Sequence, residues 1–244
     1  MSNTVEHNLK RWSDHSWESK GEHWSTGWGG SNAQWRFTVH PRVARHLPAG
    51  DVVEIATGFG RWSKFLFDHC ETYHGFDLVD KCTEYCRQTY SAPNRQFTTN
   101  DGLHLTGIPD HSVDFVFSMD SLVHVDWPTL RSYLNEIVRV LRPNGTAMIH
   151  HSNAGALPDF ESLGNRRAYR APDVSAYMVR KEVTDIGAGI IGQEIIDWGG
   201  SGSDNLIDCF STISAQPIAE PKIVENPFFM KDMRIIASIA PIYS

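Results

Sequence analysis

Between Asp51 and His151 short β-prone runs alternate with helix-prone stretches through five units, and that alternation leaves few folds open. Strand then helix, repeated, implies a parallel sheet with helices on both faces, because each parallel strand needs a crossover connection. The runs are Asp51–Thr57, Thr72–Leu78, Arg95–Thr99, Ser112–Met119 and Thr146–His151, with helices predicted over Arg61–His69 and Lys81–Tyr90. Leu130, Leu134, Ile137 and Leu141 recur at helical spacing, opened by Asp126 and Pro128 and stopped by Arg142-Pro-Asn-Gly145. Val174–Ile186 reads as one more helix. Ile190–Trp198 and Leu206–Ser214 are β-prone and flank a Gly/Ser loop at 199–203, the pattern of an antiparallel hairpin.

Composition bounds the rest. With 244 residues, 41% hydrophobic and 21% charged, the chain can bury a full core, and no run approaches the roughly 20 apolar residues of a membrane span. Twenty-two Lys and Arg against 29 Asp and Glu give a net charge of −7, so no nucleic-acid partner is expected. Met1–His7 carries no basic stretch followed by an apolar one, and a cytoplasmic location is the expectation. Cys82 and Cys86 lie one helical turn apart, with Cys70 and Cys209 elsewhere, which reads as reduced thiols rather than a disulfide framework. Trp12, Trp17, Trp24, Trp28 and Trp35, five of the eight tryptophans, crowd the N-terminus and predict a lid of short helices, not a disordered tail. The division expected is a cap over 1–46, a main domain over 47–216 and an arm or extra strand over 217–244.

In such a sheet ligands bind beyond the carboxyl ends of the strands, where strand order reverses. The residues closing each strand are therefore the candidates. The first strand ends Glu54-Ile-Ala-Thr-Gly58-Phe-Gly60, where glycines permit a sharp turn and close backbone approach. The second ends in Asp77, a carboxylate able to accept both hydroxyl hydrogens of a ribose. The third is followed by Asn100-Asp101-Gly102, and Asp101 could take a hydrogen bond from an adenine amine. A nicotinamide cofactor uses similar devices, but Ser63 replaces the third glycine of that fingerprint, and Glu54 repels phosphate.

Residues 52–62 (Val-Val-Glu-Ile-Ala-Thr-Gly-Phe-Gly-Arg-Trp), 75–77, 100–102, 112–118 and 140–145 together resemble the ordered motifs of class I S-adenosylmethionine-dependent methyltransferases. The resemblance spans roughly Asp51 to Ser214. It departs at Ala56, where the family carries glycine, which puts tight backbone contact there in doubt. It implies an α/β fold, a Rossmann-like doubly wound sheet of seven strands with the last antiparallel. It also implies that Glu54, Gly58 and Gly60 cradle the methionine part, Asp77 the ribose, and Asp101 with Leu103 the adenine. Ser118 or Met119 would reach the methionine end.

A hydroxyl acceptor benefits from a base as the methyl transfers. After the fourth strand comes Asp120-Ser-Leu-Val-His124-Val-Asp126-Trp127, similar to the His-Asp-Trp of plant phenolic O-methyltransferases, where that His is the base; Val125 is an insertion. His150 and His151 close the fifth strand, and at most one of them should face the site. His124, His150, His151 and Asp120 are thus the candidate catalytic set. His150 and His151 with Asp120, Asp126 and Asp208 also offer a shell for Mg²⁺ binding vicinal hydroxyls, a minor alternative. Tryptophans with many His, Asp, Ser and Asn suit a sugar or oligosaccharide acceptor. A looser likeness to bacterial saccharide and natural-product O-methyltransferases points the same way. A phenolic or polyketide acceptor, a nicotinamide-dependent oxidoreductase and a non-catalytic nucleotide-binding subunit are the competing readings, and a homodimer through 217–244 is a further expectation.

Overall fold

The computed structural model describes residues 3–158, 160, 169–198 and 205–243. The described strands are β1 (Ala49–Ile55), β2 (Cys70–Asp77), β3 (Arg95–Thr99), β4 (Val113–Ser118), β5 (Leu141–Ser152), β6 (Gly189–Ile196), β7 (Asp208–Ser214) and β8 (Lys222–Asn226). They form one sheet in the order β3-β2-β1-β4-β5-β7-β6-β8. Neighbours pair in parallel except β7, which runs antiparallel to both β5 and β6. This is the doubly wound Rossmann-like α/β sheet with an antiparallel seventh strand. The difference from the predicted seven strands is β8, which adds in parallel to the free edge of β6. Nothing in the polar, Pro-flanked Lys222-Ile-Val-Glu-Asn226 run has the alternation that marks a strand, and four of its five residues are exposed.

The cap is α1 (Val5–Asp14), a 3₁₀ helix over Glu22–Trp28, and α2 (Ser31–Gln34), which passes through a π-helical segment (Trp35–Val39) into α3 (His40–Val43). One short turn, α4 (Ser63–Leu66), follows β1 where a longer helix was predicted, because a 3₁₀ turn over Phe67–His69 takes its second half. Then come α5 (Asp80–Thr89), α6 (Trp127–Val140), α7 (Ala176–Asp185) and α8 (Phe229–Tyr243). The Asp126 carboxylate caps α6 by accepting from the Thr129 amide at 3.2 Å, and Pro128 sits in the first turn, where its missing N–H costs nothing. Leu141, the last member of the predicted apolar stripe, has already left the helix with ψ 132° and begins β5. The Gly/Ser loop expected at 199–203 lies outside the described residues.

Alternation along the strands builds two cores. Val53 faces a cluster with Leu130, Leu134 and Ile137 of α6 and with Val179 and Val183 of α7. Its neighbour Val52 faces the opposite cluster, where Trp28, Trp35 and Val39 of the cap meet Phe115, Phe117, Phe210 and Phe229. Full burial of each such side chain contributes about 1.5–3 kcal/mol. The cap is thus half of one core rather than an appendage. The arm closes on it: Phe229 packs on Trp198 at 5.4 Å, and a Cβ on Gly27 would meet the Met233 sulfur at 2.7 Å.

Candidate active site

The chain leaves β1, builds outward to β3, and returns to lay β4 on the other side of β1, so strand order reverses between β1 and β4. A cavity opens there, floored by Ile55–Phe59, walled by Asp77–Val79 and Met119–Leu122, and roofed by the cap residues Val5, Asn8, Trp12, Trp17 and Trp24. Its floor needs left-handed backbone. Gly58 has φ +55° and Gly60 φ +78°, while Ala56 holds φ +63°. A residue with a Cβ is strained there by roughly 1–2 kcal/mol, which is the physical content of the family's glycine being replaced at this position. A Cβ on Gly58 would sit 3.1 Å from the Trp17 ring, so the lid rests directly on the bare backbone. Trp17 then stacks on Phe59 at 4.9 Å, and Phe59 on Tyr85 at 4.3 Å.

Asp77 borders this floor. Its carboxylate accepts from the Gly58 and Val79 amides, each at 2.8 Å, and burial still pushes it up to about 6. Glu54 is placed differently from the expectation that it cradles the ligand. It is 1% exposed beneath the loop, accepting from Ser63 Oγ at 2.6 Å and from the Tyr73 hydroxyl, and burial pushes it up to about 7. Its contacts hold the loop from behind. Gly60 lies under the Tyr90 ring, 2.4 Å from where a Cβ would be, and is likewise a packing position. Ser118 is fully buried and donates to the Ile55 carbonyl at 3.0 Å, tying β4 to β1, whereas Met119 lines the cavity.

Beyond β3 the lining residue is Gly102. The Asp101 carboxylate is turned into its own loop, accepting from the Leu103 and His104 amides at 2.8 Å each and from His104 Nδ1 at 2.7 Å. Leu103 offers its carbonyl to Ser132 Oγ at 3.0 Å. Neither side chain reaches the cavity here.

The catalytic candidates separate sharply. His124 is half-buried and lines the cavity. Its Nδ1 lies 3.1 Å from the Tyr169 carbonyl, which can only accept, so Nδ1 carries the hydrogen and Nε2 keeps a bare lone pair. Burial, with the Arg170 cation nearby, pushes this imidazole down to about 4. Asp120 also lines the cavity, at φ +62°, and its carboxylate takes Arg61 Nη2 at 2.8 Å. Burial would raise it, but the Arg61 guanidinium holds it below the ordinary carboxylate range.

His150 and His151 point opposite ways. His150 is fully buried one layer behind the cavity, where Nδ1 accepts from the Asp120 amide and Nε2 donates to Asp208, both at 3.2 Å. Both ring nitrogens are therefore engaged. Asp208 is in turn held by Arg170 through Nε at 2.9 Å and Nη2 at 2.6 Å. His151 turns to the far face and bonds Ser211 Oγ at 2.7 Å, outside the site. This corrects the two as candidate bases: one is locked into a structural relay and the other is remote.

The Mg²⁺ shell is also corrected. Asp126 caps α6, Asp120 is neutralised by Arg61 and Asp208 by Arg170, so cations of the chain itself occupy those carboxylates. Among the described residues no three His, Cys, Asp or Glu side chains come together as a metal site. The residues present do not fit the ion. Arg61 is the functional candidate that sequence reasoning passed over. It is buried in the cavity wall between Asp120, Ser25 Oγ at 3.2 Å and the Trp24 and Trp62 rings. Its position directly after the glycine loop was the available signal.

Residues 52–145 match a family described as a methyltransferase domain. The phthiotriol/phenolphthiotriol dimycocerosates methyltransferase of Mycobacterium tuberculosis is 31% identical over 113 residues, 45% of this chain and 41% of that protein. A fatty-acid O-methyltransferase of Mycolicibacterium smegmatis is 31% identical over 96 residues, 38% of this chain and 34% of that protein. The chain thus matches less than half the length of these curated relatives. Among solved structures, the N-methyltransferase NodS of Bradyrhizobium japonicum with S-adenosyl-L-homocysteine superposes with a TM-score of 0.56, at 14% identity, covering 86% of this chain and 98% of that one. An S-adenosylmethionine-dependent methyltransferase of Mesorhizobium loti gives 0.55 at 15% identity, covering 75% and 97%. These structural likenesses establish the fold.

Proposed function

This chain belongs to the class I S-adenosylmethionine-dependent methyltransferases, and from that premise we propose that it transfers a methyl group to a hydroxyl of a small acceptor, most readily a sugar or saccharide. The observation that carries this reading is one cavity with a buried carboxylate, Asp77, beside a left-handed glycine loop, and an imidazole with a bare Nε2, His124, in its wall. The donor set fits the cofactor. Asp77 borders the left-handed turn at Gly58 and would accept ribose hydroxyl hydrogens, and Met119 lines the same cavity on the far side of β1.

When bound, S-adenosylmethionine supplies an electrophilic methyl on a sulfonium. The chain's part is to exclude water under the Trp12, Trp17 and Trp24 lid, orient the acceptor, and take the hydroxyl proton at His124 Nε2 as the new C–O bond forms. Tyr169, accepting from Nδ1, stabilises the imidazolium that results. In this reading the cap over 1–46 roofs the site, the unit over 47–216 holds the cofactor, and 217–244 is an arm.

A second reading has its own support. The roof carries three indoles, and the named relatives are a phthiotriol/phenolphthiotriol dimycocerosates methyltransferase and a fatty-acid O-methyltransferase, so a hydroxyl or carboxyl of an apolar natural product is the alternative acceptor. An acceptor panel of sugars, phenols, hydroxylated lipids, fatty acids and amines, read by mass spectrometry for a gain of one CH₂, tests both. Product on sugars supports the first, product on lipids or phenols alone the second, and transfer only to amines overturns O-methylation.

Asp77 gives a separate expectation. Asp77→Ala weakens S-adenosylmethionine binding by about 1–3 kcal/mol through lost charge-assisted hydrogen bonds. Because burial raises this carboxyl to about 6, the ionised form that accepts ribose hydroxyls is depleted as pH falls through that value. Parent affinity measured by calorimetry therefore declines below pH about 6, and Asp77→Asn loses that slope. Equal slopes in the two proteins would remove Asp77 from the ribose site.

A further inference from the structure

Two asparagine amides of the N-terminal cap converge on the backbone around His124. Asn8 Nδ2 donates to the His124 carbonyl at 2.9 Å, and Asn3 Nδ2 donates to the same carbonyl at 2.8 Å. The Asn3 amide also reaches the Tyr169 carbonyl at 3.0 Å, the one that accepts from His124 Nδ1. The Asn3 carbonyl takes the Asp126 amide at 3.0 Å and Asn8 Nδ2 at 2.9 Å. Both asparagines are buried, and Asn8 lines the cavity. The Arg11 guanidinium, one turn further along α1, lies 3.4 Å from the centre of the Tyr169 ring.

We propose that Asn3 and Asn8 are positioning residues for methyl transfer: docking of the cap fixes the Tyr169 carbonyl against His124 Nδ1 and so leaves His124 Nε2 free to act as base. The inference rests on the reading of His124 as the base. A neutral imidazole carries one hydrogen, and only the Nδ1–H form presents a lone pair at Nε2. Tyr169 selects that form only if its carbonyl stays in place. Tyr169 itself holds φ +62°, a strained conformation for a residue with a side chain, so it needs external bonds to keep it there. The cap supplies one from Asn3 and a cation–π contact from Arg11. The same helix carries Val5, Asn8 and Trp12 into the cavity roof, so closing the roof and preparing the base are one event. If the asparagines served only to dock the cap, their loss would loosen the roof without changing which ring nitrogen is protonated.

The experiment is two-bond ¹⁵N–¹H NMR of histidine-labelled protein near neutral pH, on the parent, Asn3→Ala, Asn8→Asp and His124→Gln. The last identifies the His124 signals by their loss. Asn8→Asp keeps shape but removes the donor. Calorimetry with S-adenosylmethionine and single-turnover methyl transfer accompany it. In the parent, His124 should show a protonated Nδ1 and a bare Nε2. Both asparagine variants should shift the ring toward Nε2–H and lose about 10–100-fold in kcat, with cofactor affinity changed less than about threefold. A parent His124 protonated at Nε2 overturns the proposal even if no variant folds. So does a parent-like ring in both variants, or a cofactor affinity that falls as far as kcat. If His124→Gln keeps parental kcat, the base reading itself fails; if it is inactive while the asparagine variants are normal, only the clamp fails.

Discussion

Replacing His124 by alanine lowers kcat by about 10²–10⁴-fold and leaves S-adenosylmethionine affinity near the parental value. The ring contacts the Tyr169 carbonyl through Nδ1 and packs 5.3 Å from Trp12, so its removal vacates the acceptor side of the cavity without touching Asp77 or the glycine loop. The pH profile supplies a second signature. Burial pushes this imidazole down to about 4, so the neutral, proton-accepting form prevails far below the pH at which an ordinary histidine would be charged. At saturating S-adenosylmethionine, which removes the Asp77 titration from the profile, the acid limb of kcat should therefore fall below pH about 5, not near the usual 6.5. Stopped-flow or discontinuous assays across pH 4–8 read this directly (roughly the window the half-buried ring requires). A limb near 6.5 that survives in His124→Ala would assign the titration to another group.

The second large effect is on stability. Asp208→Asn should cost about 3–5 kcal/mol, because it leaves the Arg170 guanidinium buried without its bidentate carboxylate. The same change weakens the bond from His150, which holds the Asp120 amide, so loss spreads along one relay from β7 through β5 to the end of β4. Burial alone would raise the Asp208 carboxyl, but Arg170 and His150 hold it far below the ordinary value of 3.8. A depressed carboxyl contributes its stabilisation fully above the unfolded value and loses it as pH falls through and below 3.8. Urea midpoints at neutral pH should drop in Asp208→Asn with the slope unchanged, and the gap to the parent should narrow in acid. A difference under about 1 kcal/mol at neutral pH would show that the network contributes little.

Local chemistry made much of this legible in the sequence. Gly58, Asp77 and Met119 close β1, β2 and β4, and any doubly wound sheet brings strand ends together at the switch point, so their meeting in one cavity followed from order alone. Alternation likewise required His150 and His151 to face apart. What could not be read locally was pairing at long range. Arg61 and Asp120 are separated by 59 positions, His150 and Asp208 by 58, and Asn8 and His124 by 116. Each partner converts the meaning of a residue: Asp120 and Asp208 look like metal ligands until their arginines are seen. Glu54 reads as a ligand contact because it precedes the glycine loop, yet strand alternation points it at Tyr73 and Ser63 beneath that loop. The arm was opaque for a different reason. Pro221 and Pro227 bracket β8, and α8 gains its place by packing Phe229 and Met233 on the cap, contacts that leave no period in the strand itself.

The central claim is that the cavity at the β1–β4 switch point holds S-adenosylmethionine. Titration calorimetry of the parent chain and of Asp77→Ala with S-adenosylmethionine, S-adenosylhomocysteine and NAD tests it most directly. The account predicts saturable one-to-one binding of both adenosyl ligands, weakened in Asp77→Ala, and no heat with NAD. Binding of NAD with silence toward both adenosyl ligands would contradict it.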